Sequence, residues 1–174
     1  MPVSRKAATI GEMTQAAQTQ ATMTLTTHSP EATEALGERL GAQLRPGDVI
    51  ALSGELGAGK TCLVRGLARG WGAAERPTSP TFTLINHYHR PADGARMVHV
   101  DCYRLVDARD AWSTGLEDVL ASGDIVVVEW PERIGEALPS AHLWVGIDSP
   151  GEDDRVFHFS ASGERAGDLI RALA

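Results

Sequence analysis

Polar and apolar positions alternate or recur with clear periods along most of the chain. Residues 1–22 are the exception, since Gln, Thr and Ala dominate and almost no bulky apolar side chain occurs. They lack the apolar core of a secretory signal, and a transit peptide would carry more Arg and fewer acids. This stretch reads as a disordered or mis-assigned extension, with Met23 as the true start and residues 23–174 as one domain. Met23–Thr27 predicts a short strand. Ser29-Pro30 supplies an N-cap and first-turn proline for a helix whose Leu36, Leu40 and Leu44 form one stripe. Pro46-Gly47 is expected to end it. Val49–Leu52 predicts a buried strand, and residues 60–71 a helix with Leu63, Leu67 and Trp71 on one face.

Farther along, Thr83–His87, Met97–Val100, Ile125–Val128, Leu143–Ile147 and Val156–Ser160 predict strands. Leu116–Ala121 and Glu164–Leu173 predict helices. Strands interspersed with helices predict an α/β fold, a central mixed β-sheet flanked by helices.

Length and composition fit that picture. At 174 residues, 43% apolar and 22% charged, the chain has the size and balance of one globular domain. No run approaches the 18 apolar residues of a membrane helix. The net charge of −7 disfavours a DNA binder that works by neutralising phosphates. Cys62 and Cys102 lie far apart without metal spacing and read as reduced thiols of a cytoplasmic protein. Charge is uneven, with eight basic and four acidic residues over 60–109. That region serves either nucleotide phosphates or an acidic partner surface.

Gly54-Glu55-Leu56-Gly57-Ala58-Gly59-Lys60-Thr61 fits G-x-x-x-x-G-K-[ST] between a predicted strand and a predicted helix. The glycines let successive N–H groups converge on phosphate oxygens, and the helix directs its dipole at the same anion. Lys60 would reach the β- and γ-phosphates, and the Thr61 hydroxyl would ligate Mg²⁺. Fourteen of the 16 basic residues are Arg, yet the loop carries Lys, the compact point charge such a cradle uses. The domain is therefore expected to be P-loop NTPase-like.

Such a loop needs an acid at the end of another strand, and Asp101 and Glu129 both follow predicted strands. The alternative for each is a cap or a structural ion pair, Asp101 with Arg104 for instance. The segment 77–83, with Ser79 and Thr81 among four hydroxyls, reads as either a switch-type loop or a plain entry to the next strand. Lys occurs only at 6 and 60, so no guanine-reading [NT]-K-x-D motif follows the loop, which favours ATP. Asp148-Ser149-Pro150-Gly151 mimics a GTPase D-x-x-G but reads as a turn near the C-terminus. His87 and His89 share a strand face without a nearby third ligand, and Trp112, Trp130 and Trp144 read as core or groove residues.

The segments GELGAGKT, SPTFTL, HVDCYRL and VVVEWPERI, in this order and spacing, resemble the bacterial TsaE (YjeE) family from about Thr24 onward. The resemblance implies a Mg²⁺-dependent ATPase that acts with TsaB and TsaD in forming N6-threonylcarbamoyladenosine beside the tRNA anticodon. Contact with tRNA is then indirect or confined to the complex, with no role at DNA or membranes. It implies nucleotide binding by Glu55, Leu56, Gly57, Ala58, Gly59, Lys60, Thr61 and Cys62, with Trp130 beside the site. Lys60, Asp101 and Glu129 match catalytic positions, Thr61 and Glu129 metal positions, and Ser79 and Thr81 the switch-like loop. Departures are Cys62 where Thr is common, Cys102 where Leu is common, and a less acidic stretch at 111–114. A small-molecule kinase with the same phosphate loop is the alternative, although no Arg-bearing lid is evident.

Overall fold

The computed structural model describes residues 21–78, 84–106, 110 and 115–174. Seven strands form one sheet: β1 (Thr22–Thr27), β2 (Val49–Gly54), β3 (Ile85–His89), β4 (Arg96–Asp101), β5 (Ile125–Glu129), β6 (His142–Asp148) and β7 (Arg155–Ser162). Their order is β1-β7-β6-β2-β5-β4-β3. β6, β2, β5 and β4 run parallel; β3 pairs antiparallel with β4 on one side and β7 antiparallel with β6 on the other, and β1, antiparallel to β7, runs in the direction of the central strands. The α-helices that lie wholly among the described residues are α1 (Pro30–Gly41), α2 (Lys60–Trp71), α3 (Leu116–Ala121) and α4 (Glu164–Arg171). The mixed sheet flanked by helices is the α/β architecture the sequence predicts.

Side-chain alternation divides the core. Ile50, Leu52, Met97, Ile125 and Val127 share one cluster with Leu63 and Leu67 of α2 and Leu36 and Leu40 of α1. Val49, Val98, Val100, Val126 and Val128 face the other way, toward Leu116 and Ile134. The same period continues past the apolar residues. His99 and Asp101 therefore lie on the α2 face of β4, and Glu129 lies on the α2 face of β5. Asp101 and Glu129 are direct partners in the parallel register. Parity and strand order alone thus bring two acids beside the start of α2, at the carboxyl ends of the strands.

Local chemistry explains the element ends. Ser29 caps α1, its hydroxyl accepting from the Ala32 N–H at 3.1 Å, and Pro30 follows at the first helical position. Such a cap is worth about 1 kcal/mol. The helix stops at Gly41, earlier than Pro46-Gly47 implies. There Leu67 of α2 presses its carbonyl against the place a Gly41 Cβ would occupy, 2.1 Å away. The chain then tightens into turns in which Gln43 and Leu44 donate to Leu40 and Gly41, so Leu44 still reaches the core.

β3 ends two residues later than predicted because its register is set by the hairpin with β4, from Ile85 opposite Val100 to His89 opposite Arg96, while the predicted start at Thr83 lies outside the described residues. β1 begins one residue before Met23, with Thr22 opposite Ser160. Asp148-Ser149-Pro150-Gly151 does form part of the β6–β7 turn. Among the described residues, no helix is long and apolar enough to cross a membrane.

Candidate functional site

β2 leads directly into the loop between Gly54 and Lys60. Gly57 and Gly59 have φ of 81° and 103°, left-handed values that L side chains rarely adopt. Gly59 is also the N-cap residue of α2, with no side-chain cap and no acid in the first helical turn. By contrast, α1 carries both a serine cap and Glu31. The N-terminus of α2 therefore keeps uncompensated N–H groups and a positive dipole end, the requirements of an anion site.

Lys60 folds back over this loop. Its ammonium donates to the carbonyls of Gly54 at 2.6 Å and Glu55 at 2.9 Å, and lies 3.9 Å from the centroid of the Trp130 ring. Lys60 is only 5% exposed. Burial holds its pKa below the ordinary lysine value, against the pull of Glu129 and Asp101. Trp130 is the one non-glycine residue with positive φ among the described residues, at 58°. It also precedes Pro131, which disfavours helical backbone at the preceding position. Such a conformation costs on the order of 1–3 kcal/mol. It is held by the Trp130 N–H on the Leu52 carbonyl at 3.1 Å and by Tyr103, whose ring centroid lies 5.1 Å from that of Trp130.

The acids complete the cleft. The Thr61 hydroxyl donates to Glu129 Oε1 at 3.2 Å, and His99 Nε2 meets the same oxygen at 2.9 Å. Glu129 is 3% exposed and His99 fully buried, so this carboxylate has little freedom to rotate. Asp101 Oδ1 accepts the Tyr103 N–H at 2.9 Å. Burial raises the pKa of Asp101, and the charge of Glu129 adds to the effect. Together these groups line a cleft of about 360 Å³, with Gly57, Gly59, Lys60 and Thr61 on one wall and Asp101, Glu129 and Trp130 on the other.

The donor set fits Mg²⁺. A hydroxyl and two carboxylates are hard oxygen ligands, and no cluster of three His, Cys, Asp or Glu side chains forms a cage among the described residues. Magnesium is characteristically held this way, by one or two protein oxygens with phosphate and water completing its shell.

Most residues expected from sequence meet here: Gly57, Gly59, Lys60, Thr61, Asp101, Glu129 and Trp130. Leu56 projects from the loop, 76% exposed. Cys62 borders the cleft while its thiol donates to the Pro30 carbonyl at 3.3 Å, and burial raises its pKa. Ser79 and Thr81 lie outside the described residues, as does Trp112. His87 and His89 lie on the edge strand away from the cleft, with His89 3.6 Å from Glu75. Sequence reasoning passed over His99, Tyr103 and Arg155. The signal for His99 was available, a histidine inside an otherwise apolar strand two residues before an acid.

A family model described as threonylcarbamoyl adenosine biosynthesis protein TsaE matches residues 27–157. The chain belongs to the TsaE family. The TsaE protein of Bacillus subtilis is 39% identical over 149 residues, covering 85% of this chain and 91% of its own. That of Streptomyces coelicolor is 44% identical over 130 residues, covering 74% and 88% respectively. Both are named tRNA threonylcarbamoyladenosine biosynthesis proteins. The crystal structure of Bacillus subtilis YdiB superposes with a TM-score of 0.72 at 34% identity, covering 88% of this chain and 95% of that one. The family match spans both halves of the TsaE-like cleft, the Gly54–Thr61 loop and the two acids.

Proposed function

We propose that this chain is a Mg²⁺-dependent ATPase of tRNA N6-threonylcarbamoyladenosine biosynthesis, acting in the cytoplasm with TsaB and TsaD homologues. One observation carries the reading. The uncapped N-terminus of α2, with Lys60 and Thr61, faces Asp101 and Glu129 across a single cleft.

Each side chain then has a distinct task. The loop N–H groups and Lys60 bind and orient the β- and γ-phosphates. Lys60 must leave the Gly54 and Glu55 carbonyls to do so, a short swing for a flexible side chain. Thr61 and Glu129 would hold Mg²⁺, with Asp101 beside them, and the chemistry a bound Mg²⁺ supplies is neutralisation of phosphate charge. His99 fixes the Glu129 carboxylate, and Trp130 covers the Lys60 ammonium from solvent.

Family membership favours this reading over the small-molecule kinase. Catalysis of this type depends on positioning and charge neutralisation, so turnover by the isolated chain should be slow until a partner surface orders the cleft. By linkage, ATP should in turn change affinity for that partner. Contact with tRNA would occur only within the complex.

The test is phosphate release by the purified chain, alone and with TsaB–TsaD, alongside formation of threonylcarbamoyladenosine on tRNA. Faster release with the pair, and tRNA modification that requires this chain and ATP, support the proposal. Equal release in both cases with no effect on tRNA rejects it, and transfer of phosphate to a small acceptor favours the kinase.

A further inference from the structure

Arg155 stands at the start of β7, 97 residues beyond Ala58, yet its guanidinium lies against the phosphate loop. Nε donates to the Ala58 carbonyl at 2.9 Å, and Nη2 approaches the Gly57 carbonyl at 3.4 Å. On its other side, Nη1 meets the carbonyls of Gly151, Glu152 and Asp154 at 3.3, 3.0 and 2.8 Å. Among the described residues it makes no ion pair, although acidic side chains surround it in sequence. The whole planar fork serves main-chain carbonyls.

The consequence follows from peptide geometry. In a trans peptide the C=O and the next N–H point to opposite sides. Fixing the Ala58 carbonyl on Arg155 therefore turns the Gly59 N–H the other way. Gly59 lines the cleft, while the Arg155 stem runs along the loop's outer side, Nε being 3.7 Å from where a Gly59 Cβ would stand. The Ala58 N–H is already engaged by the Glu55 carbonyl at 3.0 Å. Gly57 precedes the 57–58 peptide and Gly59 follows the 58–59 peptide, and their conformational freedom would otherwise let these peptides flip. A cation on the outward carbonyls counters that freedom, with charge-assisted hydrogen bonds to both peptides.

We infer that Arg155 is a positioning residue for the phosphate loop, holding the Gly59 N–H toward the bound phosphate and tying the 148–155 turn to the nucleotide site. The inference rests on the ATP-binding reading above and assigns a task to the D-S-P-G segment, as the anchor that presents Arg155. It requires the fork, not merely the charge.

The experiment uses the full chain with Arg155→Ala and Arg155→Lys. Amide hydrogen exchange without nucleotide reads the loop directly, and calorimetry reads Mg·ATP affinity. Both variants should exchange the Ala58 amide, whose N–H is held by the Glu55 carbonyl, about tenfold faster and bind ATP about tenfold more weakly. Ethylguanidinium at millimolar concentration should restore ATP affinity in part to Arg155→Ala, and ethylammonium should not. A purely structural arginine would instead lower the melting temperature and raise exchange across the sheet, without rescue. Wild-type affinity and loop exchange in Arg155→Lys would overturn the inference. If the wild-type chain fails to bind ATP, the proposed function falls, while exchange in the free chain still decides whether Arg155 holds the loop.

Discussion

Substituting Gly66 by Ala sets two well-understood effects against each other. Helix propensity alone favours the change by about 1 kcal/mol. The structure opposes it. α1 and α2 cross on facing glycines, Gly37 and Gly41 against Gly66 and Gly70. A Cβ on Gly66 would stand 2.1 Å from the Glu34 carbonyl oxygen and 2.9 Å from the Gly37 Cα. Both obstacles are backbone, so no rotamer relieves them. The helices must separate, which loosens Leu63 and Leu67 against the sheet. Overpacking of this kind typically costs about 1–3 kcal/mol, and a rigid backbone obstacle places this case at or above the upper end. The net loss is then about 2 kcal/mol, which for a domain of this size lowers the melting temperature by about 4–8 °C.

Thermal melting by circular dichroism measures it, with Gly167→Ala as control. At Gly167 the nearest atom to a new Cβ is the end of the Arg171 side chain, at 3.3 Å, which can move. Gly167→Ala should hold or raise the melting temperature. A melting temperature for Gly66→Ala at or above wild type would refute the close helix contact.

Two further substitutions separate binding, chemistry and stability. Glu129→Gln should slow Mg²⁺-dependent hydrolysis with TsaB–TsaD far more than it weakens ATP binding, because a carboxylate on metal or water acts mainly in the transition state; equal losses in single-turnover rate and calorimetric affinity would count against that role. Asp101→Asn should stabilise the free chain at neutral pH while impairing turnover. Burial and Glu129 raise the Asp101 pKa above its unfolded value of 3.8, so its contribution to stability is present below that pH and is lost as pH rises through the folded-state value. The variant keeps the oxygen that accepts from Tyr103, and its higher melting temperature at pH 7 should fall back to that of the wild type toward pH 4, as melting curves across that range will show.

The phosphate loop was legible because all its determinants are contiguous, from Gly54 to Thr61. Asp101 and Glu129 were legible as acids ending apolar strands, although their adjacency was not, since it depends on β4 lying beside β5. His99 shows the limit more sharply. Its partner Glu129 is 30 residues away, and a polar residue within a strand has no meaning until the neighbouring strand is known. Arg155 was invisible for the same reason, being joined to the loop only because β7 folds back beside β6. The end of α1 was misplaced because Leu44 keeps the helical period after the helix has stopped. The turn that follows, with the Leu44 N–H on the Gly41 carbonyl, still delivers Leu44 to the core.

Calorimetric titration with Mg·ATP of the wild-type chain, Lys60→Ala and Lys60→Arg bears most directly on the central claim. Lys60 is the charge the cleft is built around, and a planar guanidinium does not replace a point charge buried beneath Trp130. Saturable one-to-one binding by the wild type, abolished in both variants while their circular dichroism spectra stay native, is the expected result. Undiminished ATP affinity in Lys60→Ala would show that this cleft is not the nucleotide site.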